Sequence, residues 1–574
     1  MNLTPEQIEI INSTGNIKIN AIAGSGKTTT VVEYAINKPA KSKILYLAFN
    51  RTVKDEAIQK FEKKGATNVT VETAHSLAHS HIVNKYNYKI SNNYKAYEIA
   101  QLLDLEEDSL RHGAIILANH VNKLTSLYCN SNKKSLDQVN YLDTIIEAQA
   151  KGFVSKYSEI LLEKTQLFID KMDKGEVDVT HDFYLKKFQL SNPKLDYDYI
   201  IFDEGQDASE AMLDIFLNQE TTKIIVGDTH QQIYGWRYAI NSLEKTDFKT
   251  YNLSTSFRFN QSIADLASLS LDLKKMIGNH PFFPINGKGS NTATNSKAII
   301  ARTNLSLLVN AIQYVVEDKK AQKIYFEGNI SSYTYAEDGA SLYDILNLYS
   351  NKRHLIRDKL IKGMKDMEDL ENYVKITEDV SLGMLTEIVK KYGTKIPDIL
   401  NELKAKHIKH NDKSKAEVIF STVHRSKGME YDTVMLANDF IDEDKIQYLK
   451  DEYENTQSAK INEEVNLLYV AITRTKNKLY IPANLLPLHF PEYENIIIIP
   501  SGKDDNQTSI DPNSDLAKEI QKTHSNAFKP WAFEQEVILK EKLSNKSSIK
   551  EISVLLGRTT KSIRAKMKTL NIKD

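Results

Sequence analysis

One short stretch constrains this chain more than any other: the aliphatic run Ile17-Lys18-Ile19-Asn20-Ala21-Ile22 passes through Gly24 and Gly26 into a helical segment opening at Lys27. A strand that turns on glycines straight into a helix belongs to a parallel sheet with helical crossovers. Other runs repeat the pattern. Lys43-Ile44-Leu45-Tyr46-Leu47-Ala48-Phe49 reads as a second buried strand, Tyr199-Ile200-Ile201-Phe202 precedes Asp203, and Lys223-Ile224-Ile225-Val226 precedes Gly227-Asp228. Acidic residues just past strand ends mark the carboxyl edge, where such sheets place their functional groups. The fold class expected is α/β.

The 574 residues are enough for three or four domains. Strand-and-helix alternation covers 1–75 and returns over 186–258; the stretch 76–185 reads as a helical insertion. A second strand-rich unit covers 259–334 and 411–500, interrupted by a shorter helical and charged insertion at 335–410. Residues 501–528 are polar and read as a linker, and 529–574 as a separate helical unit. Lys plus Arg number 75 against 76 Asp plus Glu, so a nucleic-acid partner cannot be argued from net charge and any basic groove must be local. A single cysteine, Cys129, excludes a disulfide framework and a cysteine-ligated zinc or iron–sulfur cluster within one chain. The N-terminal residues lack a secretory signal, and the tightest aliphatic run, Ile496–Ile499, is far short of a membrane span. The expectation is a soluble cytoplasmic protein, nucleoid-associated if bacterial, with no membrane partner.

The loop Ala21-Ile22-Ala23-Gly24-Ser25-Gly26-Lys27-Thr28, running into Thr29, has the chemistry of a phosphate cradle. Its backbone N–H groups and the helix N-terminus would surround phosphates, Lys27 would reach the β- and γ-phosphates, and Thr28 would ligate Mg²⁺. Ala21 stands where such loops carry their first glycine. Asp203 is placed to hold Mg²⁺ through water, and Glu204 to polarise the water attacking the γ-phosphate. The substrate and metal implied are ATP and Mg²⁺.

With these elements in order, the chain resembles a UvrD/Rep/PcrA-type superfamily 1A DNA helicase, nearest the F-box DNA helicase branch and its bacterial relatives, over roughly residues 1–485. The resemblance implies two RecA-like parallel-sheet motor domains with helical insertions, plus a small all-α C-terminal domain. Leu3-Thr4-Pro5-Glu6-Gln7 resembles the adenine-reading segment, with Gln7 on the base. Gly227 through Arg237 resembles the third motif, in which Gln231 would sense the γ-phosphate while Tyr234, Trp236 and Arg237 face single-stranded DNA. In the fourth-motif segment Leu253–Arg258, Arg258 would touch the γ-phosphate and Phe257 replaces the usual tyrosine stacked on adenine. Thr422 through Asp432 resembles the fifth motif, with Glu430 at the ribose and its basic residues and His424 at DNA. Glu463 through Arg474 resembles the sixth, with Arg474 as an arginine finger supplied in cis. Phe49, Asn50, Thr73 and His75 resemble further DNA-facing residues, and Thr180–Tyr184 is similar to a segment of the F-box branch.

The function implied is an ATP-dependent helicase or translocase moving 3′-to-5′ on single-stranded DNA and at duplex junctions, in repair, recombination or defence. The alternative is a DNA-dependent ATPase that strips proteins from DNA or gates a partner nuclease without processive unwinding. The insertion at 335–410 is far smaller than the family's large duplex-contacting domain, and no nuclease follows Arg474. Residues 529–574 carry eleven Lys/Arg against five Asp/Glu. They resemble a Myb-like or helix-turn-helix module around Trp531, with Lys561, Arg564, Lys566 and Lys568 on its last helix. DNA is the leading ligand for it, and a protein partner the rival.

Overall fold

The computed structural model describes the chain apart from residues 1–2, 92, 106–111, 279, 281–283, 291, 329, 337–338, 453–457, 487–489, 501–524, 527–528, 545–548, 559–561, 564–565, 568–569 and 571–574. The expected linker 501–528 lies outside the described residues except at 525–526, as do Lys561, Arg564 and Lys568.

Fourteen strands are described: β1 (Ile17–Ala21), β2 (Ile44–Ala48), β3 (Val69–Thr73), β4 (Tyr199–Phe202), β5 (Thr222–Gly227), β6 (Lys249–Leu253), β7 (Thr255–Ser256), β8 (Asn286–Gly287), β9 (Lys297–Ala301), β10 (Ile324–Phe326), β11 (Val418–Thr422), β12 (Tyr431–Leu436), β13 (Thr475–Pro482) and β14 (Ile496–Ile499). They form two six-stranded sheets, β3-β2-β4-β5-β1-β6 and β10-β11-β9-β12-β13-β14, and a small β7-β8 pair. Every ladder in the two large sheets is parallel. The α/β architecture with parallel sheets is therefore the one the aliphatic runs predict. In the first sheet β1 lies between β5 and β6, so the glycine loop leaves its carboxyl edge beside the acid-tipped strands.

Strand alternation sends neighbouring residues to opposite faces. Leu45 and Leu47 of β2, Ile200 and Phe202 of β4, and Ile225 of β5 enter one core; Tyr46, Ile201, Ile224 and Val226 enter the core on the other face. The first of these cores does not stop at the sheet. It continues through the first insertion (Val121, Leu124, Phe168) and the second (Leu370, Tyr373, Leu385) to Ile299, Phe326 and Phe420 of the second sheet. Polar contacts join the insertions as well. His120 Nε2 lies 3.1 Å from the carbonyl of Ile376, and Glu378 Oε1 accepts the backbone N–H groups of Ile146 and Glu147 at 2.8 Å each. The short second insertion is thus bound to the first as well as to its own sheet. Among the described residues no helix is long and apolar enough to cross a membrane.

The C-terminal helices Phe533–Ser544 and Ile549–Leu556 close on Leu539, Ile552, Leu556, Ile563 and Met567, with Trp531 against them. Arg558 is 1% exposed, donates to the carbonyls of Lys529 and Pro530, and lies 4.3 Å over the Trp531 ring. It is a core arginine of this unit.

Leu124→Ala, at the junction of the shared core, is expected to cost about 2–5 kcal/mol. Val380→Ala, in a residue 85% exposed, is expected to change stability by less than about 0.5 kcal/mol. Urea unfolding of the two variants checks this: the first moves the transition to lower urea and the second leaves it in place.

Candidate nucleotide and strand site

At the carboxyl edge of the first sheet the chain leaves β1 at Ala21, which is buried with Ile22 and Ala23. The loop then turns at Gly24 (φ +74°) and Gly26 (φ +78°), left-handed conformations that favour glycine. A Cβ on Gly24 would stand 2.6 Å from Arg258 Cβ, so only glycine lets the loop lie this close to the fourth-motif strand. Phe257 N–H donates to the Gly24 carbonyl at 2.9 Å, fixing the approach. The helix Lys27–Ile36 begins directly on Gly26, with Lys27, Thr28 and Thr29 in its first turn. Ser25 Oγ is buried without a hydrogen-bond partner in this loop. A turn of backbone amides with an orphaned hydroxyl and a lysine fits phosphate oxygens, which are acceptors only.

Lys27 Nζ lies 3.1 Å from Asp203 Oδ1 and also pairs with Glu204 Oε1. Burial alone would lower the Lys27 pKa, yet the two carboxylates raise it. Burial would likewise raise the Glu204 carboxyl; Lys27 and Lys427, with hydrogen bonds from Lys27 and Gln206, instead hold it down at about 2. Glu204 has a left-handed backbone (φ +54°) that brings its carboxylate back over the sheet edge. Asp203 is 2% exposed and receives the hydroxyl of Tyr46 from β2, the strand beside β4. Gln7 closes a capping box with Thr4, accepting its N–H at 2.9 Å, and donates to Thr30 Oγ1 at 3.1 Å. Its amide therefore sits against the phosphate loop, positioned by both contacts.

The second sheet closes the site. Arg258 donates from Nε to Glu430 Oε2 at 2.9 Å and from Nη1 to the Thr473 carbonyl at 3.1 Å. Arg474, at the end of the helix Ser458–Ile472, is 1% exposed. It donates to the carbonyls of Val470 (3.0 Å) and Met429 (3.2 Å) and to Thr473 Oγ1 (3.1 Å). Among the described residues no carboxylate lies within ion-pair distance of it. Burial, and then the neighbouring charge of Arg258, pull its pKa down to about 9. A cavity of about 450 Å³ opens between the halves, lined by Gly24, Phe257, Arg258, Asn295, Glu430 and Lys476. Phe257 is 46% exposed, so its ring offers a face to a planar base.

One loop joins this cleft to an aromatic surface. Gln231 donates from Nε2 to Asp228 Oδ2 at 2.7 Å. From there, five consecutive residues are held by the second half. Lys427 donates to the Gln231 carbonyl (2.7 Å), Asn466 to that of Gln232 (2.8 Å), and His424 Nε2 lies 3.0 Å from that of Ile233. Tyr234 donates to the His424 carbonyl (3.3 Å), and Gly235 N–H to Glu463 Oε1 (3.0 Å). Lys427 also pairs with the buried Asp207. Beyond this strap stands the platform. Tyr234 stacks on Phe49 at 5.8 Å and 19°, Trp236 meets Tyr234 and His424 edge-on, and Arg237 lies 5.4 Å from the Trp236 ring. Trp236 is 60% exposed, which a core aromatic would not be.

Other sequence candidates take local roles in the fold. Asn50 caps the helix Arg51–Lys63 by accepting from Val53 N–H, and Thr73 caps Ala74–Ala78 by accepting from Ser76 N–H. His75 packs edge-on against His181 and Tyr184, and burial, then the charges of His181 and Arg237, lower its pKa to about 4. Its imidazole is neutral at pH 7, as is that of His424, lowered to about 4 chiefly by burial. Arg425 and Lys427, expected at a DNA backbone, turn inward: Arg425 donates to the Glu327 carbonyl and lies 4.5 Å over Tyr333. Tyr46, Gln206 and Asn466 also belong to the site, though none stands out in the sequence by type or spacing. No group of three or more His, Cys, Asp or Glu residues suited to hold a metal occurs among the described residues.

Residues 3–251 match the UvrD/REP helicase N-terminal domain family. Over most of its length the chain is similar to F-box DNA helicase 1 of Gallus gallus, 31% identical over 84% of this chain and 49% of that one. It is 28% identical to F-box DNA helicase protein 1 of Schizosaccharomyces pombe, over 85% of this chain and 58% of the relative. A probable DNA helicase II homolog of Mycoplasma genitalium is 21% identical over 81% and 82% of the two chains. The chain spans about half the length of the two F-box relatives.

The charges predict opposite stability effects. Arg474→Met removes a buried cation with no acid partner, so the melting temperature of the nucleotide-free protein is expected to hold or rise. Lys27→Met leaves Asp203 and Glu204 facing each other and is expected to lower it. The folded-state pKa of Glu204 lies below its ordinary value, so its contribution is whole above about pH 5 and is lost as pH falls toward 2. Scanning calorimetry from pH 7 to pH 3 is expected to show a shallower acid loss in Glu204→Gln than in the unsubstituted protein.

Proposed function

We propose, on the premise that this chain belongs to the UvrD/REP helicases, that it hydrolyses ATP at the seam between its two sheets and uses the cycle to move along single-stranded DNA. The observation that carries the reading is Arg474, buried beside Arg258 with no carboxylate among the described residues within ion-pair distance and only the more distant charge of Asp228 to offset it, while Lys27 and Glu204 stand on the first sheet. Two guanidiniums at one seam suit the negative charge of a polyphosphate, and above all the charge spread over a γ-phosphoryl group during transfer.

The roles follow from position. The amides of 24–28 and Lys27 bind phosphate oxygens. Gln7 and Phe257 border the base, and Glu430 the ribose. Thr28 and Asp203 would hold Mg²⁺, which when bound neutralises phosphate charge. Glu204, released from Lys27 as that ammonium turns to phosphate, accepts a hydrogen bond from the attacking water and orients it. Arg258 and Arg474 stabilise the charge that builds, and because Arg474 hangs from the second sheet, its engagement draws the halves together. The strap 231–235 carries that displacement to Trp236 and Tyr234, where bases stack without sequence preference. Movement 3′-to-5′, as the family resemblance implies, completes the reading; the C-terminal helices would add contacts to DNA.

The test is strand displacement on duplexes with a 3′ or a 5′ single-stranded tail, beside ATP hydrolysis. Unwinding from the 3′ tail alone is expected, with Glu204→Gln slowing hydrolysis by about 10²–10⁴ and Arg474→Met by about 10³–10⁵. Trp236→Ala is expected to weaken single-strand binding about tenfold while sparing hydrolysis without DNA. DNA-stimulated hydrolysis with no unwinding of either substrate would replace the helicase by a translocase that strips proteins or gates a nuclease. Unchanged hydrolysis in Glu204→Gln would contradict the active site itself.

A further inference from the structure

The first insertion carries a second aromatic and basic surface that the cleft and its platform do not use. Residues 74–86 form one helical rod, and within it His79–Val83 take the wider π form. Such segments are rare and gather at functional sites. The rod starts at the platform: His75 feels the charge of Arg237, and its ring lies 6.4 Å from His181 and 6.2 Å from Tyr184. His79 lies 6.0 Å from the same tyrosine. At the far end, Asn87 adopts a left-handed backbone (φ +54°) that folds Tyr88 back beneath Tyr86. The two rings stack at 5.5 Å with 19° between their planes.

Tyr88 is the support of this pair. Its hydroxyl donates to the Asp173 carbonyl at 2.7 Å, and its ring meets Phe183 edge-on at 6.2 Å. Tyr86 is the outer ring, 46% exposed. Lys187 Nζ lies 4.1 Å from the centre of Tyr86, 5.2 Å from that of Tyr88 and 2.7 Å from the Tyr88 hydroxyl. Lys187 is committed to the Tyr88 hydroxyl and to Asp173, while Tyr86 keeps nearly half of its surface open. Lys85 is exposed, lies 5.3 Å from the Tyr86 ring and makes no ion pair among the described residues. An exposed aromatic ring backed by a second ring, with Lys85 at its rim, is what a stacked base and its phosphate require.

We propose that Tyr86 is a second base-stacking site for single-stranded DNA, with Lys85 at the adjoining phosphate, reached from the Trp236 platform along the His75–Tyr184 surface. This rests on the single-strand reading above and lengthens the strand contact beyond the motor cleft. A helical rod from position 75 to 86 spans on the order of 16 Å, so only a strand longer than the platform needs would reach Tyr86.

The experiment measures binding of oligothymidylates of about 3 and about 20 nucleotides, below and above the span of common single-strand sites. Tyr86→Ala is expected to bind the long strand about tenfold more weakly than the unsubstituted protein and the short strand equally well. Tyr86→Trp is expected to restore the long-strand affinity, which a purely structural tyrosine would not predict. Long-strand affinity unchanged in Tyr86→Ala overturns the proposal, as does an equal loss on both lengths. If the unsubstituted protein and Trp236→Ala bind the short strand alike, it is the platform reading that fails, and that comparison is independent of every Tyr86 variant.

Discussion

Arg258 and Arg474 set the terms for the rest of the molecule. Burying a guanidinium costs several kcal/mol unless good partners replace its water. Here Arg474 hydrogen-bonds only neutral oxygens, those of Val470, Met429 and Thr473, beside a second cation, and Asp228 offsets it from beyond ion-pair distance. The two sheets could have met through an apolar interface at lower cost. They meet instead through Arg258, paired with Glu430, and Arg474, held by neutral oxygens, and the proposed polyphosphate would complete the charge balance at Arg474. The close approach at Gly24, where a side chain would strike Arg258, serves the same end by bringing the phosphate loop against the fourth-motif strand.

The same junction holds the strap. Its five consecutive residues, 231–235, each bond to the second half, so the two halves cannot shift relative to each other without moving the segment that ends in Trp236. The segment begins at Asp228, whose Oδ2 accepts from both Gln231 Nε2 and the Tyr469 hydroxyl. The proposed nucleotide contacts and the proposed strand contacts thus lie at two ends of one loop, from Asp228 to Trp236. On the far side of the molecule the insertions share a core with both sheets, so the motion available to the seam is limited by packing there as well.

Much of this was legible in the sequence because it is local. Aliphatic runs ending in Asp203 and Asp228 announce buried parallel strands, and the glycine spacing before Lys27 announces a tight strand-to-helix turn. Thr4-Pro5-Glu6-Gln7 spells a capping box, which the structure forms. What was not legible depends on residues far apart in the chain. Tyr46 and Asp203 are separated by 157 positions and Asp207 and Lys427 by 220, and neither pair carries a spacing that names its partner. Asn50 and Thr73 show a further limit: the residue types that suit DNA contact are also those that cap helices, and their side chains accept backbone N–H groups. The single core that runs through both insertions could not be read from periodicity, because an apolar helix face does not say which neighbour will cover it.

The central claim is that the arginine seam and the strand platform are one coupled unit. The most direct measurement is the affinity of a fluorescent, non-hydrolysable ATP analogue with and without saturating oligothymidylate, in the unsubstituted protein and in Asn466→Ala, which releases the middle of the strap. DNA is expected to change nucleotide affinity by about 5- to 150-fold, the range typical of coupled sites, and this factor is expected to shrink toward one in Asn466→Ala. Equal nucleotide affinity with and without bound DNA, or a coupling factor untouched by the substitution, would contradict that coupling.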